Sequence, residues 1–411
     1  MSWNLSWNVR TTLLTALRNR TGPLLAALQI AIALAVLVNA VYVVHQRIEK
    51  MARPTGIDER NLFQIVGEGF GSRYNATAAM REDLAYLRSL PGVIDASPAV
   101  SVPMGWSNQS SPIWTNPRAQ GRPVVISFFS MDEHGLNTLG AHLLQGRNFR
   151  ADEILPPIDF HNATDFVPEV IVTQSAAKEL YPDGKALGRV VYDMLGKPAT
   201  IIGIMNDVIS TSWASEHFGT YDVMIVPRPM TAFATGYLVR TAPGRRDTVM
   251  RIAEQHLSES NPNRVIAWVK SIESFKNLLY SWDFDMEIFL LTVTTLIVAV
   301  ACIGIFGLAT YNVNTRTKQI GTRRAVGARR ADIVHYFMVE NGTITTCGVV
   351  IGCMLALAVG YWLSVRYQLP RLDLYYLVGG ILALWTIGQL AVWQPASKAA
   401  SVPPSVATRT V

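Results

Sequence analysis

Four long apolar runs constrain this chain more than any other feature. The first, Leu24 to Val44, holds 21 residues without a charge, and a helix of that length crosses a hydrocarbon core of about 30 Å. Similar runs occupy 288–311, 342–365 and 374–393. Of the 411 residues, 50% are hydrophobic and only 16% are charged, which is too apolar for an ordinary soluble domain. The sequence therefore predicts an α-helical membrane protein with four transmembrane helices.

The first run could also be the hydrophobic part of a signal peptide. It is longer than such segments usually are, and no A-x-A-like cleavage site precedes His45. We therefore expect an uncleaved signal anchor. The preceding residues carry Trp3, Trp7, Leu13 and Leu17 at roughly helical spacing, which predicts an amphipathic helix in the cytoplasmic interface.

A basic segment between the second and third runs sets the expected orientation. Residues 312–340 contain six Lys and Arg residues before the first acid, Asp332. Short loops of this composition remain on the cytoplasmic side, which also predicts both termini in the cytoplasm. The alternative is a basic helix lying on anionic headgroups, where each Lys or Arg contributes about 1 kcal/mol. Charge alone leaves the two interpretations open.

The long segment 46–283 has an ordinary charged composition and contains two similar patterns. Residues 61–66 are strand-like, a helical repeat through Met80 and Leu87 follows, and 93–100 is strand-like again. A second strand, helix and strand pattern covers 236–269. Two such halves predict one split α/β lobe with another, mostly β, lobe inserted into it. The fold class is thus four transmembrane helices plus a large α+β extracytoplasmic domain.

These patterns divide the chain as follows: cytoplasmic interfacial helix 1–23, transmembrane helix 24–45, outer domain 46–283, transmembrane helix 284–311, cytoplasmic loop 312–340, transmembrane helix 341–365, outer loop 366–373, transmembrane helix 374–393 and cytoplasmic tail 394–411. Within the outer domain, 46–100 and 223–271 form the split lobe, and 101–222 form the insert. Residues 272–283 are expected to continue as a helix into the second span and form a stiff stalk.

Few residue patterns support catalysis or metal binding. All three cysteines lie in apolar runs, and the histidines match no ligand spacing. No G-x-x-x-x-G-K-[ST] phosphate loop and no G-x-S-x-G motif is present. The adjacent acids Asp132-Glu133 and Asp152-Glu153 are expected on a solvated surface. We therefore predict no catalytic residue, no metal and no cofactor in this chain. The basic loop alone carries six positive charges, which equals the net charge of +6. The rest of the chain is therefore close to neutral, and nucleic acid is not an expected partner.

The segment after the second apolar run resembles a known signature. It reads RTKQIGTRRAVGA from Arg316 to Ala328 and is similar to the R-x-x-E-I-G-x-R-R-A-x-G-A motif of the MacB-like and FtsX-like ABC transporter permeases. Glu340, Gly348 and Gly352 continue the likeness, and the tail through Pro395 and Pro404 is similar to the family's closing elements. Weaker matches lie in the outer segment, including Gly146-Arg-Asn-Phe149 and Ile201-Ile-Gly-Ile204.

This resemblance implies a non-catalytic permease subunit in a bacterial inner membrane, with a periplasmic outer domain. It implies a separate cytoplasmic ABC ATPase that binds ATP and magnesium and a second identical or unlike permease, and a periplasmic adaptor is a further partner that it allows. The residues that it implies for ATPase coupling are Arg316, Gln319, Ile320, Gly321, Arg323, Arg324, Ala325, Gly327 and Ala328. Gln319 and Thr315 stand where the family commonly has acids. An unlike second permease carrying those acids is one explanation.

The third apolar run has a small residue at every fourth position: Gly348, Gly352, Ala356 and Gly360. This spacing predicts close packing against another transmembrane helix.

The implied function is transmission of motion from the ATPase to the outer domain, driving export or extraction of a hydrophobic or peptide cargo. The alternative within the family is a regulator that controls a periplasmic hydrolase or a signalling partner. A pull-down with the outer domain separates the two, since a regulator should retain a protein.

Overall fold

The computed structural model describes residues 21–106, 109–158, 167–212, 218–231, 234–367 and 370–401. The chain divides into a helical unit, 1–52 with 283–411, and an outer unit, 53–282. The predicted interfacial helix, apart from its last three residues, lies outside the described residues, as does the tail motif that begins at Pro404.

The helices in chain order are α1 Thr21–Met51, α2 Ala76–Ser89, α3 Gly135–Leu139, α4 Gln174–Leu180, α5 Arg246–Ser260, α6 Ile272–Leu279, α7 Ser281–Thr315, α8 Thr317–Ala325, α9 Arg330–Tyr367 and α10 Leu374–Ser401. The strands are β1 Leu62–Gly69, β2 Val93–Pro98, β3 Ser110–Ile113, β4 Val124–Ser130, β5 Leu143–Gly146, β6 Glu169–Thr173, β7 Val190–Tyr192, β8 Pro198–Met205, β9 Val223–Val226, β10 Ala234–Thr241 and β11 Arg264–Ser271.

Four of these helices, α1, α7, α9 and α10, are long and apolar enough to cross a membrane. The helices extend beyond the predicted spans: α9 begins at Arg330 rather than 341, and α10 continues to Ser401 rather than 393. The predicted spans correspond to the apolar part of each helix, because hydropathy marks where the apolar stretch ends, whereas backbone hydrogen bonding continues into the polar residues beyond it.

The outer unit contains two sheets. The first has the order β11-β1-β10-β2, and its neighbouring strands are antiparallel. Both predicted strand, helix and strand patterns contribute to it, and α2 and α5 cover one face through apolar residues such as Leu84 and Leu257. Asp83 of α2 accepts a hydrogen bond from the Tyr237 hydroxyl at 2.6 Å and pairs with the buried Arg264. The split α/β lobe is thus one sheet with two helices.

The second sheet has the order β3-β4-β9-β6-β8-β5, with β7 paired to β8. Its central strand β9 pairs with β4 in parallel and with β6 in antiparallel orientation. The predicted division at Asp222 is therefore wrong, because β9 begins at Val223 and belongs to the inserted sheet. A four-residue apolar strand carries no mark in the sequence of which sheet it joins.

The two lobes share one of the apolar clusters of the outer unit. Leu62 and Leu238 of the first sheet pack with Ile171 and Ile225 of the second, and Phe275 of α6 lies in the same cluster. Burial of this shared surface explains why the outer unit is one compact body.

A buried polar network also joins the lobes and corrects one prediction. Asp132 is 8% exposed and accepts hydrogen bonds from the Arg88 guanidinium of α2 at 2.5 Å and from the Ser97 hydroxyl of β2 at 2.8 Å. Burial raises the pKa of Asp132, while Arg88 and Ser97 oppose that rise. Glu153 is likewise mostly covered and paired with Arg147. The surface position expected for Asp132 is therefore wrong, whereas Asp152, whose side chain is 76% exposed, lies on the surface as predicted.

The predicted continuous stalk is interrupted. Helix α6 ends at Leu279, Tyr280 has φ −98° and ψ 4°, and α7 begins at Ser281. This interruption could not be predicted, because no Gly or Pro stands between the two helices. Ile272 and Phe275 are buried in the outer unit, so α6 is part of that unit's core.

Candidate coupling site

The predicted coupling residues form a short helix, α8, with a defined end. Ile320 and Gly321 lie on its buried side. Beyond Ala325 the chain adopts φ +105° at Gly327. The N–H of Gly327 donates to the Arg324 carbonyl at 3.1 Å, and that of Ala328 donates to the Arg323 carbonyl at 3.0 Å. These two bonds are the Schellman arrangement, which favours glycine at its left-handed position. Gly327 therefore ends the helix.

An ion pair fixes the start of α8 to α9. The guanidinium Nη1 of Arg316 lies 2.9 and 3.0 Å from the two carboxylate oxygens of Glu340, and 3.2 Å from the Tyr336 hydroxyl. Glu340 is 7% exposed. A buried carboxylate requires such a partner, since an unpaired charge there is costly.

The end of α8 contacts the same part of α9. The guanidinium carbon of Arg323 lies 4.8 Å from the ring centroid of Tyr336, a distance typical of a cation–π contact. Arg316 and Arg323 thus hold both ends of α8 against one short stretch of α9. We call Arg316, Arg323, Tyr336 and Glu340 the α8 platform.

The side of α8 opposite Ile320 and Gly321 is exposed, and Arg323 belongs both to this side and to the contact with Tyr336. Gln319, Thr322, Arg323 and Val326 are all solvent-exposed, and their i, i+3, i+4, i+7 spacing puts them on one helical face. Val326 is 84% exposed and therefore presents an apolar side chain to solvent at the end of a basic helix. We call these four residues the coupling face. Ala325 is exposed next to it, and Arg324 and Ala328 are half-buried.

The small residues of α9 lie against α1. A Cβ added at Gly348 would lie 2.7 Å from the Ala27 carbonyl oxygen, and one at Gly352 would lie 3.0 Å from the Ala31 Cα. Ala356 is fully buried, and its carbonyl accepts a hydrogen bond from Asn39 at 3.1 Å.

Gly360 lies at the outer end of this row. A Cβ there would be 3.2 Å from the Asn39 side-chain oxygen. All four small residues therefore face α1 and allow the two backbones to approach closely.

Neither the role of Tyr336 nor the pairing of Arg316 with Glu340 was predicted from the sequence. One signal was available: Glu340 is an acid directly before an apolar span, and ionisable residues in such positions usually have a specific partner. The identity of that partner depends on the packing of α8, which no local pattern encodes.

A cavity in the outer unit, of about 450 Å³, was also not predicted. It is lined by Arg53, Ser175, Lys178, Glu179, Thr220, Tyr221 and Asp222. Asp222 is 6% exposed. Its burial, followed by the neighbouring charge of Glu179, raises the pKa of Asp222 to about 7. The Tyr221 hydroxyl donates to the Pro54 carbonyl at 2.9 Å, so the residues that follow α1 pack on the inserted lobe.

Two family models match the chain. The MacB-like periplasmic core domain matches residues 24–261, more than half of the chain, and the FtsX-like permease C-terminal domain matches residues 291–404.

Several curated proteins are similar over most of this chain. The macrolide export ATP-binding/permease protein MacB of Acinetobacter baylyi is 24% identical over 372 residues, which cover 86% of this chain and 51% of that protein. An uncharacterized ABC transporter permease, YvrN of Bacillus subtilis, is 22% identical over 68% of this chain and 69% of its own length. The chain thus spans about half the length of the MacB proteins that it matches.

Solved outer domains also align with the chain. The periplasmic region of MacB from Actinobacillus actinomycetemcomitans aligns with 56% of this chain and 97% of its own, at 14% identity and a TM-score of 0.35. The family assignment rests on the sequence models and on the four apolar helices with a large α/β outer unit. The chain belongs to the MacB-like and FtsX-like family of ABC transporter permeases.

Proposed function

We propose that this chain transmits motion from a cytoplasmic ABC ATPase to its periplasmic domain and thereby drives export or extraction of a hydrophobic or peptide cargo. The observation that supports this most directly is the α8 platform. It holds a short basic helix against α9 at both ends and leaves the coupling face of that helix exposed.

The first step of the mechanism is docking of the ATPase on the coupling face. Val326 offers an apolar contact, and Arg323 offers a cation that can pair with a carboxylate of the partner. Gln319 is exposed on the same face, so an acid at that position would be accessible to the partner. Its amide allows hydrogen bonds but no ion pair, which would make the docking less dependent on salt than in a chain with an acid there.

The second step is movement of the transmembrane helices. Displacement of α8 pulls on Glu340 and Tyr336 and therefore on the first turns of α9. The small-residue row of α9 passes that displacement to α1, because backbones this close cannot slide without rearranging the packing. The same displacement also acts on α7 directly, since α7 and α8 are separated by a single residue.

The partners follow from this mechanism. The ATPase binds ATP and magnesium, and this chain contributes no cofactor of its own. A second permease, identical or unlike, completes a pair, and a periplasmic adaptor would receive the cargo. The basic segment around α8 and both termini lie in the cytoplasm, as the abundance of Lys and Arg favours.

The test compares two substitutions that each introduce one acid into the cytoplasmic segment. Val326→Asp places a charge at the C-terminal end of the coupling face. Ala331→Asp places one at an exposed position in the first turn of α9, where an acid is favourable. Each variant is purified from native membranes in mild detergent, and bound chains are identified by mass spectrometry.

We expect the ATPase to co-purify with the unaltered chain and with Ala331→Asp, and to be lost from Val326→Asp. Retention of the ATPase by Val326→Asp would refute the coupling face. Unchanged export by a chain whose residues 316–330 are replaced with a neutral linker would refute the proposed function as a whole.

A further inference from the structure

Helix α7 is held to the rest of the helical unit by very little apolar packing. Only 17% of the most apolar 18-residue stretch of α7 is buried, compared with 56% of the corresponding stretch of α1. Lipid is as apolar as these side chains, so burial between helices supplies little driving force in a membrane. The polar contacts between α7 and α1 are therefore important for holding the two helices together.

Two such contacts are present, one deep in the span and one at its outer end. The side-chain amide of Gln29 donates to the Val300 carbonyl at 2.8 Å, beside Gly304, where an added Cβ would lie 2.4 Å from the Gln29 oxygen. At the outer end, Arg47 and Lys50 of α1 both pair with Asp283 of α7, with the Lys50 nitrogen 3.1 Å from a carboxylate oxygen.

The spacing of these contacts shows that the two helices run antiparallel in register. From Gln29 to Arg47, α1 advances 18 residues, and from Asp283 to Val300, α7 advances 17 residues. At about 1.5 Å per residue these lengths are about 27 and about 26 Å. Because the lengths agree, both contacts can be made at once with straight helices.

Asp283 is placed to bind both cations tightly. It is 6% exposed and lies in the first turn of α7, where the helix dipole favours a negative charge. The side chains of Arg47 and Lys50 retain 30% and 26% exposure, so the carboxylate is the more buried partner. Neutralising it would leave two cations next to each other.

The position of this cluster along the chain indicates a mechanical role. The helical unit ends at Ala52, only two residues after Lys50, and begins again at Asp283 itself. Both crossings between the helical unit and the outer unit therefore lie next to the cluster in sequence.

We propose that Asp283, Arg47 and Lys50 form a latch that fixes the outer ends of α1 and α7 to each other, so that the two connections to the periplasmic domain move together. These are positioning residues, and their role rests on the proposed function. They contact neither ATPase nor cargo in this mechanism.

The test measures the separation of the two helix ends in the full chain. Spin labels are placed at the exposed Ile48 and Met286, after replacement of the native residues Cys302, Cys347 and Cys353, and the protein is reconstituted in lipid nanodiscs. The latch variant is Asp283→Asn. The matched control is Asp285→Asn, an exposed acid on the same turn of α7.

We expect one narrow distance distribution in the parent and in Asp285→Asn, and loss of that narrow distribution in Asp283→Asn. Exchanging the charges, with Arg47→Asp and Asp283→Arg in a Lys50→Gln background, should restore it. An unchanged distribution in Asp283→Asn overturns the latch, and so does failure of the charge exchange to restore a narrow distance.

The two proposals can fail separately. ATPase co-purification is measured on the same variants, and Asp283→Asn should retain the ATPase because the coupling face is intact. Loss of the ATPase in Asp283→Asn would show a general structural defect and overturn the latch. Retention of the ATPase by Val326→Asp refutes the coupling face as the docking site. The latch is then tested by the distance measurement alone.

Discussion

The strongest single prediction concerns Arg316→Gln, which removes the cation from the α8 platform. Breaking a fully buried ion pair by removing one partner costs about 3–5 kcal/mol. The Arg316 side chain retains 22% exposure and Glu340 retains 8%, so solvent screens part of that loss and we expect about 2–3 kcal/mol. This cost falls on the docking of α8 against α9, because both residues lie at that contact. At 1.4 kcal/mol per factor of ten, docking weakens about 30- to 150-fold.

Hydrogen–deuterium exchange of the α8 amides measures this change directly, because a helix released from its support exchanges through local opening. The protein is reconstituted in lipid, and protection of residues 317–325 is compared with that of α9. The control is Arg330→Gln, which removes the same charge from an exposed position a few residues away and should leave α8 protection unchanged.

A double-mutant cycle with Glu340→Gln separates the pair from its surroundings. Each single change leaves one charge without its partner, whereas Arg316→Gln with Glu340→Gln leaves two neutral amides that can bond to each other. The double variant should therefore protect α8 better than the sum of the single losses predicts. Unchanged α8 protection in both single variants, or strictly additive losses, would refute the platform.

The remaining predictions concern packing and pH. Gly352→Leu should lower the stability of the detergent-solubilised chain by about 1–3 kcal/mol, because the larger side chain overpacks the contact with α1. Gly379→Leu, whose side chain meets open space, should leave the thermal stability unchanged. Equal effects of the two substitutions would contradict the α1–α9 contact. Asp83→Asn leaves Arg264, 1% exposed at its side chain, without its charge partner, and should cost the outer unit about 3–5 kcal/mol in chemical denaturation. The raised pKa of Asp222 means that the folded outer unit binds a proton that the unfolded chain has released above about pH 4. Its stability should therefore fall as pH rises from about 4 through about 7, and Asp222→Asn should flatten that part of a melting-temperature profile.

Periodicity in the sequence predicted the parts of the fold that depend on local pattern. The apolar runs located α1, α7, α9 and α10, because a bilayer requires about 20 apolar residues wherever the helix lies. The repeat through Met80 and Leu87 located α2, since those residues form the buried side that packs on the first sheet.

The features that the sequence did not predict depend on contacts between distant residues. Asp132 was expected on a solvated surface, yet Arg88, 44 positions away, pairs with it inside the outer unit. The sheet to which Val223 belongs was assigned wrongly, because strand partners are chosen by tertiary packing. The break at Tyr280 likewise has no local marker.

In the candidate site, too, local patterns were predicted and contacts between distant residues were not. The basic signature located α8, and the small-residue row located the face of α9 that packs on α1. Tyr336 and the pairing of Arg316 with Glu340 required the arrangement of helices. The latch at Asp283 was also missed, since Arg47 lies 236 positions away in sequence.

The most direct test of the central claim is photocrosslinking from the coupling face in native membranes. A photoreactive amino acid replaces Val326 and, as a control, Met354, which lies 60% exposed on the apolar surface of α9. We expect Val326 to form a covalent adduct with a phosphate-loop ATPase, and that adduct to change in yield when a non-hydrolysable ATP analogue is added. No ATPase adduct from Val326, or the same adduct from Met354, would contradict the account.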